Sequence, residues 1–202
     1  GGSAGAWTEA FLAADRALAS EYEGCTATAL LVWQHEGKLR LRAANVGDSA
    51  CVVGDAEKWE VLTYSHRLSD EGERERLAAL GVKLREGEKR LYGLSLSRAF
   101  GDQLLKNEDT GLTAEPHVSS ILEVPCSGGE RGAGDGGGLV QYAIVASDGL
   151  WDHVSPQLAM GIAREVGRET DQSPEAIAQA LMDEALTRRS TDDISVCVVV
   201  LP

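Results

Sequence analysis

The chain has 202 residues, 43% of them hydrophobic and 25% charged, with a formal net charge of −13. This length suits a single domain, 1–202, whose core needs no disulfide scaffold. The acid excess argues against a nucleic-acid backbone or an anionic membrane surface as partner. It can instead gather carboxylates around a divalent cation.

Residues 6–22 place Phe11, Ala14, Leu18 and Tyr22 at helical spacing, and Gly24 stops that helix. The run 25–33 reads as a buried strand, and QHEG as a hairpin turn into the alternating strand 38–46. Segments 50–54 and 59–64 continue the meander. Ser69 can cap a helix over 70–80, with Leu77 and Leu80 inward and a Glu/Arg face outward. Residues 93–106 have mixed periodicity and read as irregular with short helical turns. The glycine-rich stretch 127–138 reads as a surface loop. An apolar strand spans 139–147. Ser155-Pro156 and Ser173-Pro174 are each an N-cap followed by proline at the first helical position, so two helices follow, with Gly167 able to close the first. A buried strand over 194–201 ends the series. Strands joined by tight turns, with helices grouped apart from them, predict an α+β fold in which antiparallel sheets pack together with helices outside.

The first residue is Gly1 rather than Met, and the chain reads as part of a longer product. No run has the length and apolarity of a membrane span. Cys25, Cys51 and Cys197 sit in strand-like runs, Cys126 stands apart, and no C-x-x-C spacing occurs. They read as reduced core thiols of an intracellular, cytoplasmic or cytoplasm-facing protein. Gly132, Gly134 and Gly137 satisfy G-x-G-x-x-G, but they lead into a strand rather than out of one into a helix, so they make no dinucleotide site.

The sharper signal is VASDGLWD (145–152): an apolar strand runs into Asp148-Gly149, where glycine lets the backbone turn at once. A second acidic point, Asp192-Asp193, stands just before the last strand. Antiparallel pairing of 139–147 with 194–201 would put Asp148 and Asp192 on one sheet edge. Two carboxylates on rigid elements are hard ligands suited to Mg²⁺ or Mn²⁺, and a cation relieves their mutual repulsion.

The segments ANVGDSA (44–50), LYGLSLSRAFGD (91–102), AEPHVS (114–119), ASDGLWD (146–152) and STDDISVCVV (190–199) resemble, in order, the metal-dependent protein phosphatases of the PPM, or type 2C, family. YEGCTATALLVW (22–33) and GLSLSRAFGDQLLK (93–106) look most like the plant kinase-associated protein phosphatase branch. The resemblance implies an α-β-β-α sandwich that lacks its first strands here. It implies hydrolysis of phosphoserine and phosphothreonine in proteins by a metal-activated water, with Mg²⁺ or Mn²⁺ as cofactor. Phosphorylated proteins, receptor-like or other kinases among them, are the implied partners. Asp148 and Asp192 match the family's metal-ligating aspartates, with Gly149, Asp193, Arg98 and Asp102 in support. Asp193 stands where asparagine is usual, and Ser65 where the family has the aspartate of Asp-His. The family's first acidic strand and D-G-H-G loop, which carry the bridging aspartate, the histidine and a phosphate-gripping arginine, have no counterpart in this chain. No protein side chain present is thus expected to act directly as a catalyst.

Blander roles suit the other candidates. His66 and His153 read as solvated or capping residues, and His35 and His117 as loop and strand-edge residues. Arg98 and Asp102 read as supporting an ion pair or hydrogen bonds, Asp48 as an Asx-type turn residue, and Trp151 as a core anchor. Two alternatives to a phosphatase stand: a pseudophosphatase or kinase-interaction module, suggested by Ser65 and Asp193, and an incomplete product that aggregates through exposed sheet edges.

Overall fold

The computed structural model describes residues 2–18, 20–125 and 140–201. The glycine-rich stretch 127–138, its G-x-G-x-x-G pattern and Cys126 lie outside the described residues. Helix α1 (Ala4–Leu18) leads to strands β1 (Gly24–Cys25), β2 (Ala27–His35), β3 (Lys38–Val46), β4 (Ala50–Gly54) and β5 (Trp59–Val61). Helix α2 (Glu71–Ala79) precedes β6 (Phe100–Gly101), α3 (Gln103–Asn107), β7 (His117–Val118) and β8 (Leu122–Pro125). Then come β9 (Gln141–Ala146), α4 (Asp148–Trp151), α5 (Pro156–Glu169), α6 (Pro174–Thr187) and β10 (Val196–Leu201). The fold is α+β with antiparallel sheets and flanking helices. Strand order is β10-β9-β4-β5 in one sheet and β2-β3-β7 in another, where β8 also pairs with β3; β1 and β6 form a small ribbon. Among the described residues no helix is long and apolar enough to cross a membrane.

The chain divides into two compact units, the first within residues 1–29, 43–49 and 63–119 and the second within 30–42, 50–62 and 120–202. In the second unit, β10, β9, β4 and β5 pair in a continuous antiparallel ladder. One face of that sheet carries Tyr142, Ile144 and Ala146, which form a core with Met160 and Ala163 of α5 and Ile177 and Leu181 of α6. Ser155 and Ser173 cap α5 and α6, with Pro156 and Pro174 at the first positions, as their dipeptides predict. Gly167 does not close α5; the helix runs on to Glu169. A Cβ at Gly167 would come within 2.7 Å of the Tyr142 hydroxyl, so the glycine allows close helix–sheet packing. The predicted hairpin turn forms at Glu36-Gly37, both at positive φ (51° and 73°), which suits a two-residue loop between twisted strands.

The first unit corrects several expectations. Helix α1 ends at Leu18, and Tyr22 lies beyond it with 74% exposure. Its inner face is Trp7, Phe11 and Asp15 rather than Phe11, Ala14 and Leu18. Phe11 packs on Phe100 at 5.2 Å between ring centroids. Asp15 accepts from Gly101 N (2.8 Å), Gln103 Nε2 (3.0 Å) and Lys106 Nζ (2.6 Å). Burial pushes the Asp15 carboxyl up, but these donors outweigh it and hold it below the usual carboxylate range. Helix α2 is capped by Asp70 rather than Ser69: Asp70 Oδ1 accepts from Gly72 N at 2.9 Å and Glu73 N at 3.3 Å. Leu80 stands at the C-cap, 62% exposed, not inward. The run 25–33 is half-buried rather than buried, and the free thiols of Cys25 and Cys197 are exposed. Cys197 alternates with Val196 and Val198, which face the helices, so its thiol points the other way. Only Cys51 is a buried thiol among the described cysteines, pushed up to about 12 by burial and then by Cys197.

The Glu/Arg face of α2 is not wholly outward either. Glu73, 2% exposed, accepts from Ser97 Oγ (2.5 Å), Arg76 Nε (2.8 Å) and Arg98 Nη2 (2.6 Å). Arg76 donates onward to the carbonyls of Ser97 and Gly111, and Arg98 to that of Glu115. Burial alone would raise the Glu73 carboxyl; Arg98, Ser97 and Arg76 bring it down to about 2. Removing one member of a buried pair leaves charge uncompensated. Glu73→Ala is expected to lower unfolding stability in urea by about 3–5 kcal/mol, whereas the exposed Glu75→Ala changes it by less than about 0.5 kcal/mol.

Candidate functional site

Strand β9 ends at Ala146, opposite Val196 of β10. The predicted antiparallel pairing therefore forms, and it carries the two acidic segments to one end of the sheet. Ser147 N donates to Ser195 O at 3.0 Å, and the Ser147 carbonyl accepts from Leu150 N (3.1 Å) and Trp151 N (3.3 Å). Asp148 is thus the first residue of α4, which starts directly off the strand. Trp151 Nε1 is shared between the carbonyls of Ala146 (3.1 Å) and Ala50 (3.2 Å), anchoring that turn to β9 and β4.

Gly149 has a different reason to be glycine than the sequence suggests. It lies within helical α4 and is not among the positive-φ residues. A Cβ there would lie 2.4 Å from the Asp193 carbonyl oxygen and 3.3 Å from Ile194 Cγ1. Close approach of the 192–194 segment, not a special turn, requires it. The buried Ser190 Oγ donates to Gly149 O at 2.8 Å, a second tie between the segments. Asp192 Oδ1 accepts from Asp193 N at 2.8 Å, which holds that carboxylate against its own backbone. Asp192 and Asp193 are exposed and Asp148 half-buried.

Among the described residues no group of three or more His, Cys, Asp or Glu side chains converges as a metal cage. Two carboxylates on adjoining, stitched segments are nonetheless a donor set that fits Mg²⁺ or Mn²⁺. Such ions keep several waters and take one or two carboxylates plus substrate phosphate oxygens. Asp148 and Asp192 would hold one ion in this way.

Arg98 and Asp102 belong to the first unit. Arg98 is committed to Glu73 and Glu115. Asp102 adopts a left-handed conformation (φ 49°, ψ 41°), which aspartate tolerates better than most residues. A Cβ on Gly24 would sit 1.9 Å from Asp102 Oδ2, so the carboxylate packs over that glycine. Burial raises it against the opposing pull of Lys106. Asp48 forms an ion pair with Arg67 Nε at 2.7 Å, a longer-range tie than an Asx-type turn. His35 is exposed beside Glu36, and His117 sits in β7 opposite Asn45. His153 is not simply solvated, since its Nδ1 is buried with no partner among the described residues.

His66 is neither solvated nor capping: it is fully buried. Its Nδ1 lies 3.0 Å from both Gly47 N and Gly47 O, and its Nε2 has no partner among the described residues. Burial, then Arg98, pull its pKa from 6.5 down to about 4 against the attraction of Glu73. Sequence reading missed Glu73, Asp15, Ser147 and Ser190. Glu73 and Arg76 at i and i+3 were the one visible signal for the buried carboxylate.

The sequence profile described as protein phosphatase 2C matches residues 5–194. The chain belongs to the protein phosphatase 2C family. It is 40% identical over 182 residues to Protein phosphatase 2C 70 of Arabidopsis thaliana, covering 87% of this chain and 29% of that one. It is 37% identical over 182 residues to Probable protein phosphatase 2C 32 of Oryza sativa subsp. japonica, covering 88% and 41%. The chain thus spans less than half the length of these plant relatives. A solved phosphatase from Toxoplasma gondii shares the fold at TM-score 0.71 and 18% identity, over 96% of this chain and 73% of that one. A serine-threonine phosphatase 2C from the same organism does so at TM-score 0.65 and 21% identity, over 98% and 65%.

Two outcomes follow for this phosphatase 2C chain. Gly149→Ala places a Cβ against Asp193 O, so it is expected to lower the melting temperature, the reverse of the usual gain for alanine in a helix. For His66, the unfolded chain binds its proton near pH 6.5 but the folded one only near pH 4. Stability is therefore complete above the higher value and lost as pH falls between the two. Melting curves across that range should show this loss, with a shallower slope for His66→Asn, which cannot titrate there.

Proposed function

We propose that the protein is a metal-dependent serine/threonine phosphatase acting on phosphorylated proteins, with Asp148 and Asp192 as ligands of one Mg²⁺ or Mn²⁺. The observation that supports this most directly is the stitching of the Asp148 turn to the Asp192 segment at the end of the β9–β10 pair. When bound, a divalent cation supplies charge neutralisation for phosphoryl oxygens and acidifies water. The protein's part is to carry two carboxylates on adjoining, stitched segments, where their mutual repulsion is relieved by the cation. Asp193 adds negative charge beside them, and Trp151 keeps the α4 turn from drifting. The family name of the relatives supports phosphoproteins as substrates, and receptor-like or other kinases are the class proposed among them. The exposed free thiols of Cys25 and Cys197 suit an intracellular setting.

The test is hydrolysis of phosphoserine and phosphothreonine peptides by the intact protein with Mn²⁺, against Asp148→Asn. The variant should lose about 10²- to 10³-fold in rate, the scale for removing a group that stabilises transition-state charge, while keeping its melting temperature. Undiminished hydrolysis by Asp148→Asn would sink the role of Asp148. Asp148-dependent Mn²⁺ binding without turnover would favour the pseudophosphatase reading instead.

A further inference from the structure

We infer that the Ser147 hydroxyl is the positioning group of the Asp148–Asp192 pair: it takes a main-chain place in the β9–β10 ladder, so that the strand can break into a helix one residue before Asp148. This rests on the metal-dependent reading above. Beyond Ala146 and Val196, the next residues in register are Ser147 and Ser195. A continuing antiparallel ladder would exchange two bonds between them, each N–H with the opposite carbonyl. The first forms, from Ser147 N to Ser195 O at 3.0 Å. In place of the second, Ser195 N donates to Ser147 Oγ, also at 3.0 Å.

The substitution has a consequence on each side. The Ser147 carbonyl, released from the ladder, accepts from Leu150 N and Trp151 N and so opens α4. The hydroxyl proton goes to Asp193 O at 3.0 Å, which ties down the residue next to Asp192. One hydroxyl thus accepts from one backbone group and donates to another, and both lie on the segment that carries the second carboxylate. Serine at a helix N-cap ordinarily turns its oxygen to its own first turn. Ser155 and Ser173 do this, at 3.3 Å to Leu158 N and 3.2 Å to Ala176 N. Ser147 makes no such bond to α4; its hydroxyl faces the neighbouring chain segment instead.

Without the hydroxyl, Ser195 N–H would need another acceptor, and the Ser147 carbonyl is the one in register. Recapturing it would take that carbonyl from Leu150 and Trp151 and extend the strand through Asp148. A strand rises about 3.3 Å per residue and a helix about 1.5 Å, so the Asp148 carboxylate would move away from Asp192. Ser147 is therefore a positioning residue, acting on the cation only through the two aspartates.

Calorimetric titration with Mn²⁺ alone, paired with thermal melts of the full chain, tests this. Ser147→Ala and Ser147→Val should each weaken Mn²⁺ binding by about five- to thirty-fold, the loss of two hydrogen bonds of ordinary net strength. Ser147→Thr, with the shape of valine but the hydroxyl kept, should restore it. The threonine–valine pair isolates the hydroxyl from packing, and it decides the matter if the alanine variant does not melt cooperatively. Equal Mn²⁺ affinity of the threonine and valine variants would overturn the inference. So would wild-type affinity in Ser147→Ala together with lost binding in Asp148→Ala, an outcome that leaves the proposed function standing. Wild-type affinity in Asp148→Ala would overturn the metal reading, and the inference with it.

Discussion

In the second unit the antiparallel pairing of β9 with β10 is the constraint on which the rest is built. Its register, from Val196 opposite Ala146 to Leu201 opposite Gln141, decides two things at once. It sends Tyr142, Ile144, Val198 and Val200 to the face that α5 and α6 cover. It also brings the exit of β9 to the entry of β10, so that the loop bearing Asp192 meets the turn bearing Asp148. A slip of β10 by one residue would turn Val198 and Val200 to the other face and shift the acidic segments past each other. The apolar core and the candidate metal site are therefore specified by the same set of main-chain hydrogen bonds.

The net charge of −13 divides into carboxylates with very different tasks. Glu73 and Asp15 are buried and saturated with donors, and each ties distant segments of the first unit together. Their strength lies in satisfaction: a buried carboxylate with several good partners organises its surroundings, whereas one with a missing partner destabilises them. Asp148 and Asp192 form the opposite arrangement. Asp148 is half-buried and Asp192 exposed, and they sit on two backbone segments stitched to each other at one end of the β9–β10 pair.

Four serines of the second unit show how one residue type takes different roles. Ser155 and Ser173 turn inward and start helices. Ser190 fixes the Gly149 carbonyl, and Ser147 bridges across the sheet edge. Each is an ordinary hydrogen bond of modest net strength. Ser147 and Ser190 act at the strand-to-helix switch, where a small change in backbone path is a large change in carboxylate position.

Local patterns in the sequence were enough for much of this. Serine followed by proline starts a helix because its oxygen and the proline's fixed φ act within one turn, and both such helices are present. Alternation marked β3 and apolar runs marked β4 and β9, and Asp-Gly after an apolar strand marked the exit that carries Asp148. Where the decision was tertiary, periodicity misled. Tyr22 and Leu80 had helical spacing yet lie outside, Glu73 had the look of a solvated face yet is buried, and His66 was read as solvated or capping yet is fully buried. Only Arg76, three residues on, marks Glu73 locally; Arg98 and Ser97, brought from elsewhere in the chain, make its burial favourable. The sequence by itself determined the starts of α5 and α6, the main strands and the family, and it singled out the two aspartates as candidates. The tertiary structure alone decided which polar groups could be desolvated, because that depends on partners that only long-range folding supplies.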